Sequence, residues 1–173
     1  MKCTLTDRGI GVMLMLRGPG GFQGGAVSDA LVTQLDIFPT LCELLDLEPP
    51  AGLEGRSLMP LVRGEETEIN EAIFAEVSYH AANEPQRAVR TQRWKYIRRF
   101  GEWEHPVMAN VDDSPSKDVW LANGWRERHV PWETLYDLIF DPGETNNLAH
   151  DPDYAEPLAE MRGRLAAWME ATG

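Results

Sequence analysis

The chain has 173 residues, enough for one globular domain or for two small units around a shared core. Hydrophobic residues make up 43% and charged residues 25%, as in ordinary folded domains, and the formal net charge is -12. Those values exclude the basic footprint of a nucleic-acid binder and any electrostatic pull toward anionic membranes.

No apolar run approaches the ~18 residues of a membrane span, and no basic segment followed by a cleavable apolar region opens the sequence. Neither observation assigns a compartment. Cys3 and Cys42 match no metal or redox spacing, and Cys42 lies in an apolar helical pattern as a small buried hydrophobe.

The first predicted element is a strand, Ile10 to Leu16, a near-continuous apolar run bounded by glycines. Such a run reads as a strand buried on both faces, as in a parallel sheet under helices. A Gly-rich loop follows, from Gly18 to Gly25. Thr33 and Asp36 carry helix-start spacing, and Pro39 falls in the first turn, where its missing N–H costs little. Leu35, Phe38, Leu41, Cys42 and Leu45 then recur at helical spacing, predicting an inward face. A short helical turn is expected between Arg56 and Val62, ahead of Gly64.

Ala72 to Tyr79 reads as a strand. Ala88 to Arg98 reads as a hairpin turning at Thr91, Gln92 and Arg93. Residues 101–131 have no clean periodicity and predict a long ordered insertion, whose Trp120 and Trp125, with the following Trp132, fill a small core or cover the sheet. Thr134 to Leu138 is a short strand, and the Asp141, Pro142, Gly143 and Glu144 run is a turn. Glu156 to Met169 is an amphipathic helix presenting Leu158, Met161, Leu165 and Trp168 on one face. A parallel-type strand and helix first, then an antiparallel sheet closed by a helix, define an α/β piece joined to a smaller α+β piece. The expected domains are residues 1–68 and 69–173.

Five motifs, in order along nearly the whole chain, resemble the C-terminal part of a sulfatase of the alkaline-phosphatase superfamily. They are Lys2, Thr4, Asp7 and Gly9; Thr33, Asp36, Pro39 and Thr40; Gly55 through Gly64; Arg90 through Ile97; and Leu135 through Leu138 with Asp141, Glu144 and Asn147 to Ala149. The Trp-rich insertion and the run from Glu84 to Arg87 are similar to the heparan N-sulfatase group. The proline that often breaks the family's strand near Met13 is absent.

The resemblance implies hydrolysis of sulfate esters or sulfamates, including those of amino sugars. In the family, a formylglycine made from a Cys/Ser-x-Pro-x-Arg motif attacks sulfur, and a calcium ion held by carboxylates and an amide binds the sulfate. Neither cysteine nor any serine here opens that motif. The expectation is therefore an N-terminal catalytic portion outside these residues. It would carry the nucleophile and calcium, leaving no cofactor to this chain and little activity to it alone. The alternatives are a non-catalytic unit pairing with a separate catalytic half, or a phosphodiesterase or phosphonate hydrolase of the same superfamily.

Lys2 is the one residue matching a catalytic position, where a fixed ammonium would stabilise charge developing on the sulfate oxygens. His80 is a substrate-binding candidate, leaving a strand toward the turn at Pro85, with an imidazole able to bond substrate or move a proton. Arg87 could make a bidentate contact to sulfate or a uronate carboxylate, although an internal ion pair is the competing reading. His105, His129 and His150 show no ligand spacing, and Asp112 with Asp113 reads as turn capping. Asp141 and Glu144 read as turn and packing residues. The implied partner is a sulfated small molecule or sugar; on an acidic chain it must be met by local cations.

Overall fold

The computed structural model describes residues 4–19, 21–22 and 24–172. The chain forms two compact units, one of residues 13–73 and one of residues 1–12 with 74–173.

In residues 13–73 the described secondary structure is helical. Helix α2 (Ile37–Leu44) follows a 3₁₀ turn at Gln34–Asp36, and α3 (Met59–Arg63) follows an extended loop. The helix start is the one its residue types dictate. Thr33 Oγ1 accepts from the Leu35 N–H at 3.1 Å, and the Asp36 carboxylate accepts from the Thr33 N–H at 2.7 Å. The predicted apolar face is only partly inward. Pro39, Thr40 and Cys42 are buried, while Leu35, Phe38, Leu41 and Leu45 are exposed.

Asp36 is the anchor of this unit. Its buried carboxylate accepts from the Arg56 N–H at 2.8 Å and lies 3.3 Å from Asn70 Nδ2, which donates to it. Thr40 Oγ1 donates to the Asp36 carbonyl at 2.5 Å and accepts from the Leu58 N–H at 2.8 Å. The loop before α3 is thereby laced to the start of α2. Gly55 sits so close that a Cβ would lie 2.1 Å from the Leu35 carbonyl oxygen, so no larger residue fits.

The second unit is a four-stranded sheet in the order β1 (Ile73–Tyr79), β2 (Asn83–Arg90), β3 (Trp94–Arg99), β4 (Glu133–Asp137). β2, β3 and β4 pair antiparallel, with Ala88 opposite Ile97 and Ile97 opposite Thr134. One face carries Arg90, Lys95, Ala88 and Ile97, and the segment Leu5–Ile10, ending in a short helix α1 (Asp7–Ile10), packs there. Leu5, Ala88 and Ile97 are its buried centre. Burying Leu5 alone stabilises by about 2 kcal/mol.

The other face carries Val89, Tyr96 and Leu135, and α5 (Ala155–Thr172) packs against it with Leu158, Met161 and Leu165 buried. Trp168 stacks on Phe74 at 5.0 Å, fixing the far end of that helix. Beyond β4, the Leu148 N–H donates to the Leu135 carbonyl at 2.9 Å, and Asn147 bridges Leu135 and Glu133. That motif is an edge cover, which supplies β4 with the partners a bare edge lacks.

Other expectations change as well. Ile10 to Leu16 is not a strand: α1 ends at Ile10, and Val12, Met13 and Met15 are exposed. A buried parallel strand needs ladder partners on both sides, and no strand among the described residues pairs with it. Residues 101–131 contain a helix, α4 (Pro115–Ala122), started by Ser114, whose hydroxyl accepts from the Lys117 N–H. Trp120 and Trp132 are about half exposed rather than core-filling, and Trp120 tilts against Trp125. The α/β class with a helix-packed antiparallel sheet stands.

Candidate functional site

The most concentrated polar chemistry lies where Leu5–Ile10 crosses the sheet. Lys95 points from β3 into the interior and is fully buried. Its ammonium donates to Asp7 Oδ1 at 2.5 Å and lies 3.3 Å from Glu144 Oε1, an ion-pair contact without hydrogen-bond geometry. Arg90 Nε donates to Asp7 Oδ2 at 3.2 Å, and the Asp7 N–H donates to Glu144 Oε2 at 2.6 Å. Two carboxylates and two cations balance, so the buried charge is compensated locally.

Burial pushes the Asp7 carboxyl up, but Lys95 and Arg90 together outweigh it and hold it below its ordinary range. For Glu144 burial wins over the Lys95 ammonium, and its carboxyl is raised. Glu144 reaches this position from a left-handed backbone conformation (φ 51°) at the end of a turn. The turn is tied by Asp141, whose carboxylate accepts from the Thr145 and Asn146 N–H groups. Gly9 completes the crossing, since a Cβ there would lie 2.1 Å from the Thr4 carbonyl oxygen. Three of the five sequence motifs thus meet at one ammonium.

The crossing also sets a direction. From Asp7 back to Leu5 the chain moves from the Arg90–Lys95 pair to the Ala88–Ile97 pair, toward the end of β2 that begins at Asn83. The β1–β2 turn lies at that end and carries His80, exposed. The turn is rigidly held. Asn110 Oδ1 accepts from the Ala81 and Ala82 N–H groups at 3.1 and 2.8 Å. Asn110 Nδ2 donates to Glu84 Oε2 at 2.8 Å, and Glu84 pairs with Arg99. The insertion 101–131, which has no periodic signal, therefore supplies the clamp for this turn.

Lys2 lies outside the described residues. Arg87 Nε donates to Glu76 Oε2 at 3.1 Å, and Arg87 stands opposite Arg98 on the α5 face. Sequence reasoning missed Lys95 and Asn110 as organisers. The signal for Lys95 was available, because a lysine at an inward position of a β-rich run in a chain with only three lysines calls for buried partners.

Among the described residues no group of three or more His, Cys, Asp or Glu side chains is placed to hold a metal ion. Asp36 and Glu144 are engaged by backbone N–H groups, Asp137 by Arg93, and Glu84 by Asn110 and Arg99. These residues do not fit a calcium cage.

Residues 2–123 match the family described as N-sulphoglucosamine sulphohydrolase, C-terminal, and the chain belongs to that family. It is 32% identical over 99% of its length to an ulvan-active sulfatase of Formosa agariphila, of which it covers 35%. In three dimensions it resembles a 2-O GAG sulfatase, with TM-score 0.57 and 31% identity over 79% of this chain and 24% of that one. It also resembles the phosphonate monoester hydrolase of Agrobacterium radiobacter, with TM-score 0.51 and 27% identity over 79% of this chain and 24% of that one. The chain spans about a quarter to a third of the length of these proteins.

Proposed function

We propose that this chain is the C-terminal domain of a hydrolase of sulfate esters or sulfamates on sugars, and that it supplies one cation and one wall of the reaction centre. The observation that carries this is the tether of Asp7 by Lys95 and Glu144, which fixes the segment five residues after Lys2 and directs it toward the His80 turn. Family membership and sulfatase relatives along nearly the whole chain supply the substrate class.

In this reading Lys2 contacts the sulfate oxygens and stabilises the charge that builds as the S–O or S–N bond breaks. His80 hydrogen-bonds the substrate or moves a proton at the leaving atom. The nucleophile and the calcium that the family uses come from catalytic sequence outside these residues, so the chain alone does not turn over. The phosphonate hydrolase neighbour supports a second reading, in which the same wall serves a phosphorus-centred substrate.

The test joins the chain to the catalytic portion of the ulvan-active relative. The purified chain with calcium should release no sulfate from an aryl sulfate, and the chimera should. Lys2→Ala in the chimera should lower kcat by about 10²-fold or more, as removal of a charge-stabilising donor does. Turnover by the isolated chain, or a chimera indifferent to Lys2→Ala, sinks the reading. Preference for an aryl phosphonate over the sulfate favours the second.

A further inference from the structure

The α5 face of the sheet carries a charge arrangement that the tether does not explain. Arg87 on β2 and Arg98 on β3 stand directly opposite one another in the antiparallel register. Like charges in that position destabilise a sheet. Both guanidinium groups lie against the same ring: Arg87 Cζ is 5.6 Å and Arg98 Cζ 5.2 Å from the centre of Phe100. An aromatic ring flanked by two guanidinium groups holds them by cation–π attraction and restricts their rotamers.

The carboxylates facing this pair do not cancel it. Glu76 accepts from Arg87 Nε at 3.1 Å and is itself half exposed. Glu133 lies across from Arg98, but Arg162 of α5 pairs with it, and Tyr96 donates to it at 2.7 Å. Three arginines against two carboxylates leave one positive charge on an accessible strip of a chain whose net charge is -12. Arg98 is exposed and Arg87 partly so.

We propose that Arg87, Arg98 and Phe100 form a binding subsite for a sulfated polysaccharide. The two guanidinium groups would take a sulfate ester by paired N–H donors, with Phe100 holding them in place. Planar forks suit an oxyanion. The site lies on the opposite face of the sheet from Leu5 and Asp7. It would therefore grip a part of the polymer other than the ester being cleaved. The substrate class rests on the reading above, whereas the location does not.

Titration of the isotope-labelled 173-residue chain with a heparin-derived tetrasaccharide, and with the same sugar desulfated, tests this by NMR. Shifts are expected at residues 87, 98 and 100 with the sulfated sugar alone. Arg87→Gln with Arg98→Gln should weaken binding by about tenfold or more, as loss of two charge-assisted contacts does. Arg63→Gln, which removes a cation paired with Glu43 in the other unit, should leave binding unchanged. Shifts confined elsewhere, equal binding of the desulfated sugar, or an affinity indifferent to both arginines overturns the subsite. The wild-type shift map decides the question even if the double variant fails to fold. Binding that depends on Arg63 instead also overturns the subsite, while leaving the reaction-centre reading intact. Retained binding beside a chimera that ignores Lys2→Ala leaves the subsite standing and removes that reading.

Discussion

The two units solve the same problem with opposite charges. Residues 13–73 are anchored by an anion: Asp36 is buried, and its oxygens are satisfied by backbone N–H groups and an amide. The sheet unit is anchored by a cation: Lys95 is buried and satisfied by carboxylates. Amide donors come with the backbone, so Asp36 needs only nearby loops, and its bonds reach 3 to 34 residues along the chain. An ammonium needs counter-ions, and Asp7 is 88 residues away from Lys95. The anion therefore organises local loops, whereas the cation ties the segment at Asp7 to the sheet and the closing turn. In both units the buried motif residues Asp36 and Lys95 serve the architecture.

The largest effect is expected at Lys95. Lys95→Ala leaves Asp7 and Glu144 facing each other with only Arg90 to compensate, and removing one partner of a buried pair costs about 3–5 kcal/mol. All six tryptophans lie in the sheet unit, so urea unfolding followed by tryptophan fluorescence isolates it. A loss below about 1 kcal/mol, the range of exposed ion pairs, would break the contrast between the units.

Asp36→Ala comes next. It strips an acceptor from the Thr33 and Arg56 N–H groups, at a cost of about 2–3 kcal/mol for charged hydrogen bonds and stranded donors. The effect should be confined to its own unit. Hydrogen exchange at Arg56 and Leu58 should accelerate while the fluorescence midpoint holds. Equal loss in both units would show that the anchors are not independent.

Local chemistry made much of this legible. The Thr33 to Asp36 cap, the Thr91 to Arg93 hairpin and the terminal helix follow from spacing within a few residues. What failed depended on partners elsewhere. Val12 to Leu16 has the composition of a buried strand, but composition cannot provide the neighbouring strands that would bury it. Helix α4 is short and has no buried residue, so its apolar positions show no period; the Ser114–Pro115 start was the available clue. For Arg87, closeness to His80 in sequence leaves open which face of the sheet its side chain takes. Strand alternation sends its side chain to the α5 face, opposite the face that Asp7 crosses. The Asn110 clamp was invisible because nothing local marks a loop asparagine as the acceptor for a turn 28 residues earlier.

The smallest effect, and the one that most sharpens the contrast, concerns pH. Two carboxylates share Lys95 with opposite tendencies. Asp7 is held below its ordinary value of 3.8, so its stabilisation is present above that value and is lost as pH falls through the folded one. Glu144 is raised above its ordinary value of 4.5, because burial outweighs the ammonium, so the fold favours its protonated form. Its contribution is complete below 4.5 and is lost as pH rises through the folded value. Glu144→Gln keeps a carbonyl for the Asp7 N–H and removes the buried charge. Relative to the wild type, it should gain stability as pH climbs from 4.5 toward neutrality, and the gain should vanish below 4.5. Fluorescence-monitored unfolding across that range measures it. A difference that is flat with pH, or that grows toward acid, would mean that Lys95 requires both anions. The sheet unit would then be anchored by a full ion triad and not by the Asp7 pair.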